Sequence, residues 1–137
     1  MMPAGKYYIG DLCYVMDDKE WDEFCSITIK GNECLDGEFE MKDGRKFATY
    51  GTKWGDGAYR SNIGTEHCVD AGLIGCIRVE DIRANKYDKI EELGAVVEFK
   101  QPFTTEGGRA ANNWDWDGVI RFGNVMIETN PEYDEEY

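Results

Sequence analysis

Apolar and polar residues alternate along this chain in short runs separated by glycine-containing turns. Because successive side chains of a strand point to opposite faces, such runs predict strands. The clearest runs are Lys6–Met16, Gly37–Met41, Lys46–Tyr50, Ala95–Phe99, Val119–Phe122 and Val125–Thr129. Roughly eight or nine strands at intervals of about 8–12 residues, with little helix, are typical of sandwiches and barrels. The fold class is therefore mainly β: a single-domain β-sandwich or small barrel of short antiparallel strands, with one or two short helices.

Turn and cap residues place the boundaries of these elements. Asp43-Gly44 predicts a hairpin with a type I′ turn, and Gly123-Asn124 predicts a second tight turn. Asp17-Asp18 predicts a helix start, because an aspartate accepts hydrogen bonds from the free N–H groups of the first turn. Trp21, Phe24 and Cys25 follow at helical spacing. They predict a helix of about two turns that packs on the sheet.

Two further segments predict more specific strand arrangements. Lys6–Met16 predicts a strand, a bend at Gly10-Asp11 and a second strand. The stretch from His67 to Val79 predicts the most apolar strand pair of the chain, and Val69–Gly75 within it has the pattern of a strand buried on both faces.

Charge restricts the class of partner. The chain has 137 residues, which is typical of one domain, and a net charge of −13. The acidic excess extends along the whole chain and is concentrated near its end, where 130–137 predicts a frayed acidic tail. Such a surface repels nucleic acid and anionic lipid and attracts basic proteins, so we expect neither nucleic-acid nor membrane binding. The first residues do not have the pattern of a signal peptide, which predicts a cytoplasmic protein.

Residues that carry chemistry are few. His67 is the only histidine, and the adjacent Cys68 would point to the opposite face of a strand, so we expect a core histidine and no catalytic residue. The five cysteines include no Cys-x-x-Cys pair, which predicts free thiols and no zinc site. Asp115-x-Asp117-Gly118 resembles part of a calcium loop, but the closing glutamate at EF-hand spacing is absent. We therefore expect no metal and no cofactor.

Four residues form a candidate ligand pocket. Asp11, Asp56 and Asp70 lie beside glycine or within a strand, where charge is unexpected, and Tyr59 follows the Gly55-Asp56-Gly57 turn. If they converge, they form a polar site for a small ligand. The alternative is that each aspartate accepts hydrogen bonds from turn backbone, which aspartate does readily.

These same segments resemble a family. The opening Tyr-Tyr-Ile-Gly-Asp-Leu-Cys-Tyr-Val of 7–15, the Gly-Asp-Gly-x-Tyr turn, Val-Asp-Ala-Gly-Leu-Ile-Gly of 69–75 and Gly-Val-Ile-Arg-Phe-Gly of 118–123 resemble a group of small, mostly uncharacterised phage and bacterial proteins. The usual signature of that group is Gly-Asp-Pro-Cys-Tyr, whereas Leu12 replaces the proline here and makes the bend less rigid. The resemblance implies a phage or mobile-element origin and identifies no catalytic residue.

Together these observations favour a non-enzymatic protein that binds a basic host protein. The specific hypothesis is a phage-type inhibitor of a host defence or nucleic-acid-binding protein, in which carboxylates imitate the phosphates of nucleic acid. The candidate partner-binding residues are Asp17, Asp18, Glu20, Asp22, Glu23, Glu132, Asp134, Glu135 and Glu136. One alternative is a self-associating virion decoration or assembly protein. The other is a nucleotide- or metal-binding module or enzyme that uses the Asp11, Asp56 and Asp70 region.

Overall fold

Two antiparallel five-stranded sheets form most of the structure. The computed structural model describes residues 1–31, 33–52, 57–82, 92–107 and 118–129. The first sheet contains β1 (Gly5–Gly10), β4 (Gly37–Glu40), β5 (Lys46–Gly51), β8 (Leu73–Arg78) and β9 (Ala95–Phe99), in the order β4-β5-β8-β1-β9. The second contains β6 (Gly57–Ser61), β7 (Glu66–Val69), β10 (Thr105–Glu106), β11 (Val119–Phe122) and β12 (Val125–Glu128), in the order β10-β11-β12-β6-β7.

The remaining described elements are a helix, a small hairpin and two 3₁₀ turns. Helix α1 spans Asp18–Thr28 and leads directly into the hairpin of β2 (Ile29–Lys30) and β3 (Glu33–Cys34). The 3₁₀ turns are Leu12–Val15 and Val79–Asp81. The two large sheets do not close into a barrel, and the prediction of a mainly β fold is confirmed.

One hydrophobic core lies between the two sheets. Both sheets contribute side chains that are at most 8% exposed, among them Tyr7 and Ile9 of β1 and Ile120, Phe122 and Ile127 of β11 and β12. Aromatic rings meet edge to face here, with the ring centroids of Tyr7 and Phe103 5.0 Å apart. This packing of two antiparallel sheets makes the architecture a β-sandwich.

A second core covers the opposite face of the first sheet. Tyr8, Phe47 and Ile77 alternate with the residues of the first core, and they contact Phe24 of α1 and Leu12. The ring centroids of Phe24 and Phe47 are 5.1 Å apart. The first sheet is therefore buried on both faces, which explains why its central strands are almost continuously apolar.

Helix α1 begins as its sequence predicts but is longer. Asp17 Oδ1 accepts a hydrogen bond from the Glu20 N–H at 2.8 Å, and Glu20 Oε1 accepts one from the Asp17 N–H at 3.1 Å. This capping box satisfies two N–H groups at the helix start. The helix continues for 11 residues to Thr28, so the prediction of about two turns is too short and Ile27-Thr28 is helical.

Both predicted hairpins are present, with one difference in turn type. Gly123 and Asn124 form a two-residue loop between β11 and β12, and Gly123 has a φ of 60°. The loop between β4 and β5 contains three residues, because the Met41 N–H bonds to the Arg45 carbonyl. Gly44 supplies the positive φ of 95° at its end. The type I′ assignment is therefore wrong, because the extra residue enlarges the loop.

Two strand predictions are corrected. After β1, the chain forms a 3₁₀ turn at Leu12–Val15 instead of a second strand, because the Asp11 side chain caps that turn. The strands between His67 and Val79 do not pair: β7 lies in the second sheet beside β6, and β8 lies in the first sheet between β1 and β5. The described strands number twelve instead of eight or nine, since several contain only two residues. None of the described helices is long and apolar enough to span a membrane.

Candidate functional site

Asp11 joins two of the segments that carry the family resemblance, 7–15 and 69–75. Its side chain is fully buried, and Oδ2 accepts hydrogen bonds from the N–H groups of Asp70 at 2.7 Å and Ala71 at 2.6 Å. Oδ1 accepts the Cys13 N–H at 3.0 Å. One carboxylate thus ties the end of β1 to the crossing between β7 and β8, and we call this contact the Asp11 clasp. All three donors are backbone N–H groups, so the Asp11 carboxylate has a structural role.

Gly10 is required beside this clasp. A Cβ atom at Gly10 would lie 2.5 Å from the Tyr8 hydroxyl oxygen, and that hydroxyl donates to the Asp11 carbonyl at 3.1 Å. Burial raises the pKa of Tyr8 far above its usual value, and the nearby Asp11 carboxylate raises it further. The Tyr8 hydroxyl therefore remains protonated and acts as a hydrogen-bond donor.

Three of the four residues of the candidate ligand pocket, Asp11, Tyr59 and Asp70, have different environments in the structure. Asp70 meets Asp11 through its backbone N–H, and its side chain is exposed. Tyr59 is 3% exposed and lies in the core between the sheets. Asp56 lies outside the described residues. Asp11 and Asp70 are therefore brought together, but by turn hydrogen bonds of the kind that the alternative interpretation proposed.

His67 is a core residue that links the two sheets. Nδ1 lies 3.0 Å from the Ile9 carbonyl oxygen, which can only accept, so Nδ1 carries the proton. Nε2 then accepts a hydrogen bond from the Thr65 hydroxyl at 2.8 Å. Burial lowers the pKa of His67 to about 4, although the hydrogen bond to Ile9 acts in the opposite direction. The ring is therefore neutral at pH 7.

The acidic residues of α1 divide into two groups. Asp17 and Glu20 form the capping box, and Glu20 Oε2 also pairs with the largely buried Arg45 at 2.5 Å. Glu23 accepts the Lys42 N–H at 2.7 Å and so holds the β4–β5 loop. Asp18 and Asp22 are exposed and lie one helical turn apart. The other candidate partner-binding residues, Glu132, Asp134, Glu135 and Glu136, lie outside the described residues, as do Asp115 and Asp117.

A pocket that the sequence did not indicate lies beside α1. It has a volume of about 240 Å³ and opens between the helix, the segment before β4 and the ends of β5 and β8. Its apolar walls include Trp21, Leu35 and Leu73. Trp21 is stacked on Phe24, with ring centroids 4.5 Å apart and an angle of 10° between the rings. We call this cavity the α1 pocket.

Two glycines, Gly51 and Gly72, line the α1 pocket. Thr49 on β5 lies opposite Gly37 on one neighbouring strand and Gly75 on the other, and Gly51 is the next residue on the same face of β5. Gly51 leaves this end of β5 uncovered, whereas the space above Gly75 is filled by Leu12, whose Cδ1 lies 2.9 Å from where a Cβ atom of Gly75 would be. Sequence reasoning missed the site because the glycines are neighbours only through strand register.

Thr49, one of the residues that line the α1 pocket, has a buried hydroxyl. Thr49 is 2% exposed, and its Oγ1 has no hydrogen-bond partner within the described part of the chain. Buried polar atoms without partners are uncommon, and each one costs free energy. At the side of the pocket, Asp36 Oδ1 accepts the Gly51 N–H at 3.0 Å. The pocket thus combines apolar walls, a buried hydroxyl and a carboxylate.

We expect Thr49→Val to stabilise the protein by about 1 kcal/mol, because valine has the same shape and removes an unpaired buried hydroxyl. The measurement is the free energy of unfolding in urea. Thr28→Val is the matched control: Thr28 is also buried, but its hydroxyl donates to the Phe24 carbonyl at 2.9 Å. The control should bring no gain in stability. Destabilisation by Thr49→Val would mean that the Thr49 hydroxyl is satisfied in solution.

Comparisons with protein-family models, curated proteins and solved structures found no match for this chain. The resemblance to small phage and bacterial proteins therefore stays a prediction. The candidate site depends on geometry alone, and the described residues contain no group of three or more histidine, cysteine, aspartate or glutamate side chains arranged to hold a metal ion.

Proposed function

We propose that this protein acts by binding a basic protein, and that the contact surface is the exposed face of α1 together with the α1 pocket. The observation that carries the proposal is the open pocket beside an acidic helix, with Trp21, Leu35 and Leu73 among its apolar lining residues. A concave pocket with mostly apolar walls and a few polar groups is the usual form of a binding site.

Charge supports a basic partner. The chain has a net charge of −13, and the exposed Asp18 and Asp22 lie within one helical turn of Trp21, which lines the pocket. Opposite charge on a partner increases the rate of association and favours the correct orientation. Tryptophan contributes much of the binding energy at many protein interfaces because it buries a large apolar area. This surface therefore offers both long-range attraction and a place for close packing.

The narrower hypothesis is an inhibitor that occupies the nucleic-acid groove of a host defence protein. It requires a row of exposed carboxylates that follows the spacing of phosphates. On α1, Asp17, Glu20 and Glu23 hold the fold together, which leaves Asp18 and Asp22 for such a row. An imitation of nucleic acid would then have to include acidic residues outside α1. An inhibitor that imitates nucleic acid is thus a more specific form of the proposed function.

The test compares two double variants with the same change in net charge. Asp18→Asn with Asp22→Asn neutralises the face of α1, and Glu98→Gln with Glu128→Gln neutralises exposed residues of β9 and β12. Tagged wild-type protein and both variants are incubated with nuclease-treated host lysate, and the captured partner is then purified. Calorimetry measures the affinity of this partner for the wild-type protein and for each variant. We expect the α1 variant to bind about five- to tenfold more weakly at low salt, and less so at high salt.

Three other outcomes would contradict the proposal. Equal weakening by both double variants would show that only total charge matters. Capture of other copies of this chain alone would favour the decoration or assembly alternative, and gel filtration would check it. A partner that is acidic, or that binds with no salt dependence, would exclude the electrostatic basis of the proposal.

A further inference from the structure

We propose that the α1 pocket receives one large apolar side chain of the partner protein, and that basic residues beside this side chain contact the acidic surface around the pocket. This inference rests on the proposed function, because it identifies what the partner presents to the contact surface. The observations that carry it are the apolar walls and the volume of the pocket, an exposed isoleucine among its lining residues, and the acidic residues around it. We call the inserted side chain the anchor.

The polar side chains that line the α1 pocket are already bonded within the fold or are inaccessible. The hydroxyls of Thr28 and Thr52 donate to backbone carbonyl groups at 2.9 Å and 3.3 Å. The hydroxyl oxygen of Thr49 is buried, and Asp36 Oδ1 accepts a backbone N–H at 3.0 Å. A ligand in the pocket therefore meets mainly apolar surface, which favours an apolar group over a polar one.

Large apolar side chains of the pocket remain accessible to a ligand. Trp21, Leu35 and Leu73 line the pocket, and each of them is partly exposed. Ile29 also lines it and is 41% exposed, which makes it one of four exposed large hydrophobic residues in the described part of the chain. Exposed apolar surface next to a concave pocket is typical of a site that another apolar group covers.

The volume of the pocket fits one side chain. At about 240 Å³, it is below the range of roughly 300–1,000 Å³ that is typical of sites for drug-sized molecules. An apolar cavity of about 150 Å³ holds a benzene molecule, so the α1 pocket has room for the side chain of a phenylalanine, leucine or methionine. A nucleotide is too large to be enclosed there. This size favours the anchor of a protein over a free nucleotide.

The charges around the pocket favour basic residues beside the anchor. Helix α1 contains four acidic residues and one lysine, and Asp18 and Asp22 are exposed within one helical turn of Trp21. On a second segment of the pocket wall, the exposed Asp70 precedes Ala71, which lines the pocket. The described lining residues include no lysine, arginine or histidine. A partner with basic residues on both sides of its anchor is therefore attracted, whereas one with acidic residues there is repelled.

The test uses capped tripeptides in place of the partner. N-acetyl-Lys-Phe-Lys-amide has the anchor and the basic residues, N-acetyl-Lys-Ala-Lys-amide lacks the anchor, and N-acetyl-Ser-Phe-Ser-amide lacks the charges. Each is titrated at low salt into ¹⁵N-labelled full-length protein, and the amide resonances of Gly51, Gly72 and Leu73 are followed. We expect the first peptide to bind with a dissociation constant on the order of 1 mM. The peptide without the anchor should bind at least about fivefold more weakly, and the uncharged peptide about threefold more weakly.

Two pairs of variants then locate the bound anchor. Ala71→Phe places a large side chain at an exposed position of the pocket wall, so N-acetyl-Lys-Phe-Lys-amide should bind at least about fivefold more weakly. Its control, Ala58→Phe, makes the same change at an exposed position of β6 in the second sheet and should leave binding unchanged. Ile29→Ser removes apolar surface from the pocket and should weaken binding about two- to threefold. Its control is Ile63→Ser, since Ile63 is 44% exposed and lies between β6 and β7.

Defined results would overturn this inference. Equal binding of N-acetyl-Lys-Ala-Lys-amide would show that no anchor is recognised, and equal binding of the uncharged peptide would show that the basic residues contribute nothing. Unchanged binding to both Ala71→Phe and Ile29→Ser would place the anchor outside the pocket. If the peptides behave as expected but no basic partner distinguishes the Asp18 and Asp22 variants, the pocket chemistry stands and the proposed protein-binding function fails. If a basic partner distinguishes them but binds Ala71→Phe as tightly as the wild type, the proposed function stands and this inference fails.

Discussion

Replacing Asp11 with alanine is expected to lower the free energy of unfolding by about 3–5 kcal/mol. The Asp11 carboxylate is fully buried and accepts the N–H groups of Cys13, Asp70 and Ala71. Its removal leaves three backbone donors without a partner, and each unsatisfied donor in the interior costs about 1–3 kcal/mol. Partial relaxation of the backbone and entry of water reduce the total. Urea unfolding followed by circular dichroism measures the change.

Two further variants separate the clasp from a general effect of charge. Asp11→Asn keeps the size of the side chain, but its NH₂ group faces an N–H donor, so we expect a loss of about 2–3 kcal/mol. Asp70→Asn is the matched control, since Asp70 contributes its backbone N–H to the clasp and its side chain is exposed. We expect a change below about 0.5 kcal/mol there. Similar losses for Asp11→Asn and Asp70→Asn would contradict the structural role of Asp11.

The second large effect is a loss of stability in acid that depends on His67. Its pKa is about 4 in the folded protein, lowered by burial from the ordinary value of 6.5. Between these values the unfolded chain binds a proton that the folded protein does not, so protonation favours unfolding. The contribution is complete above about pH 6.5 and is lost as the pH falls towards 4. We expect a loss of about 1 kcal/mol between pH 7 and 5.5, and about 3 kcal/mol by pH 4.

The range from pH 7 to 5.5 isolates this effect, because His67 is the only histidine and carboxyl groups with ordinary pKa values remain ionised there. The measurement is the free energy of unfolding at several pH values. His67→Gln lacks the titrating group, so its stability should be nearly constant over that range, although lower at pH 7. A wild-type protein with constant stability from pH 7 to 5.5 would show that folding leaves the pKa of His67 unchanged, which would contradict its burial as a neutral ring.

Local sequence signals predicted the start of α1, the hairpin turns and many of the individual strands. The start of α1 depends on Asp17 and Glu20, which are three residues apart, and the Gly123-Asn124 turn depends on adjacent residues. Alternation of side chains likewise predicted the strands and the mainly β class. These features follow from backbone preferences and from contacts within a few residues, and so the sequence alone determines them.

The candidate site depended on contacts between distant parts of the chain. The separate sheets of β7 and β8, the Asp11 clasp across 59 residues and the glycines around Thr49 all follow from strand register. Register depends on which packing buries the most apolar surface in both cores, and no local pattern contains that information. The sequence by itself therefore determined the mainly β class, the cap of α1 and the positions of the hairpin turns. Only the tertiary structure decided that Asp11 holds a turn and that the α1 pocket exists, because both depend on residues that meet only when the sheets pair.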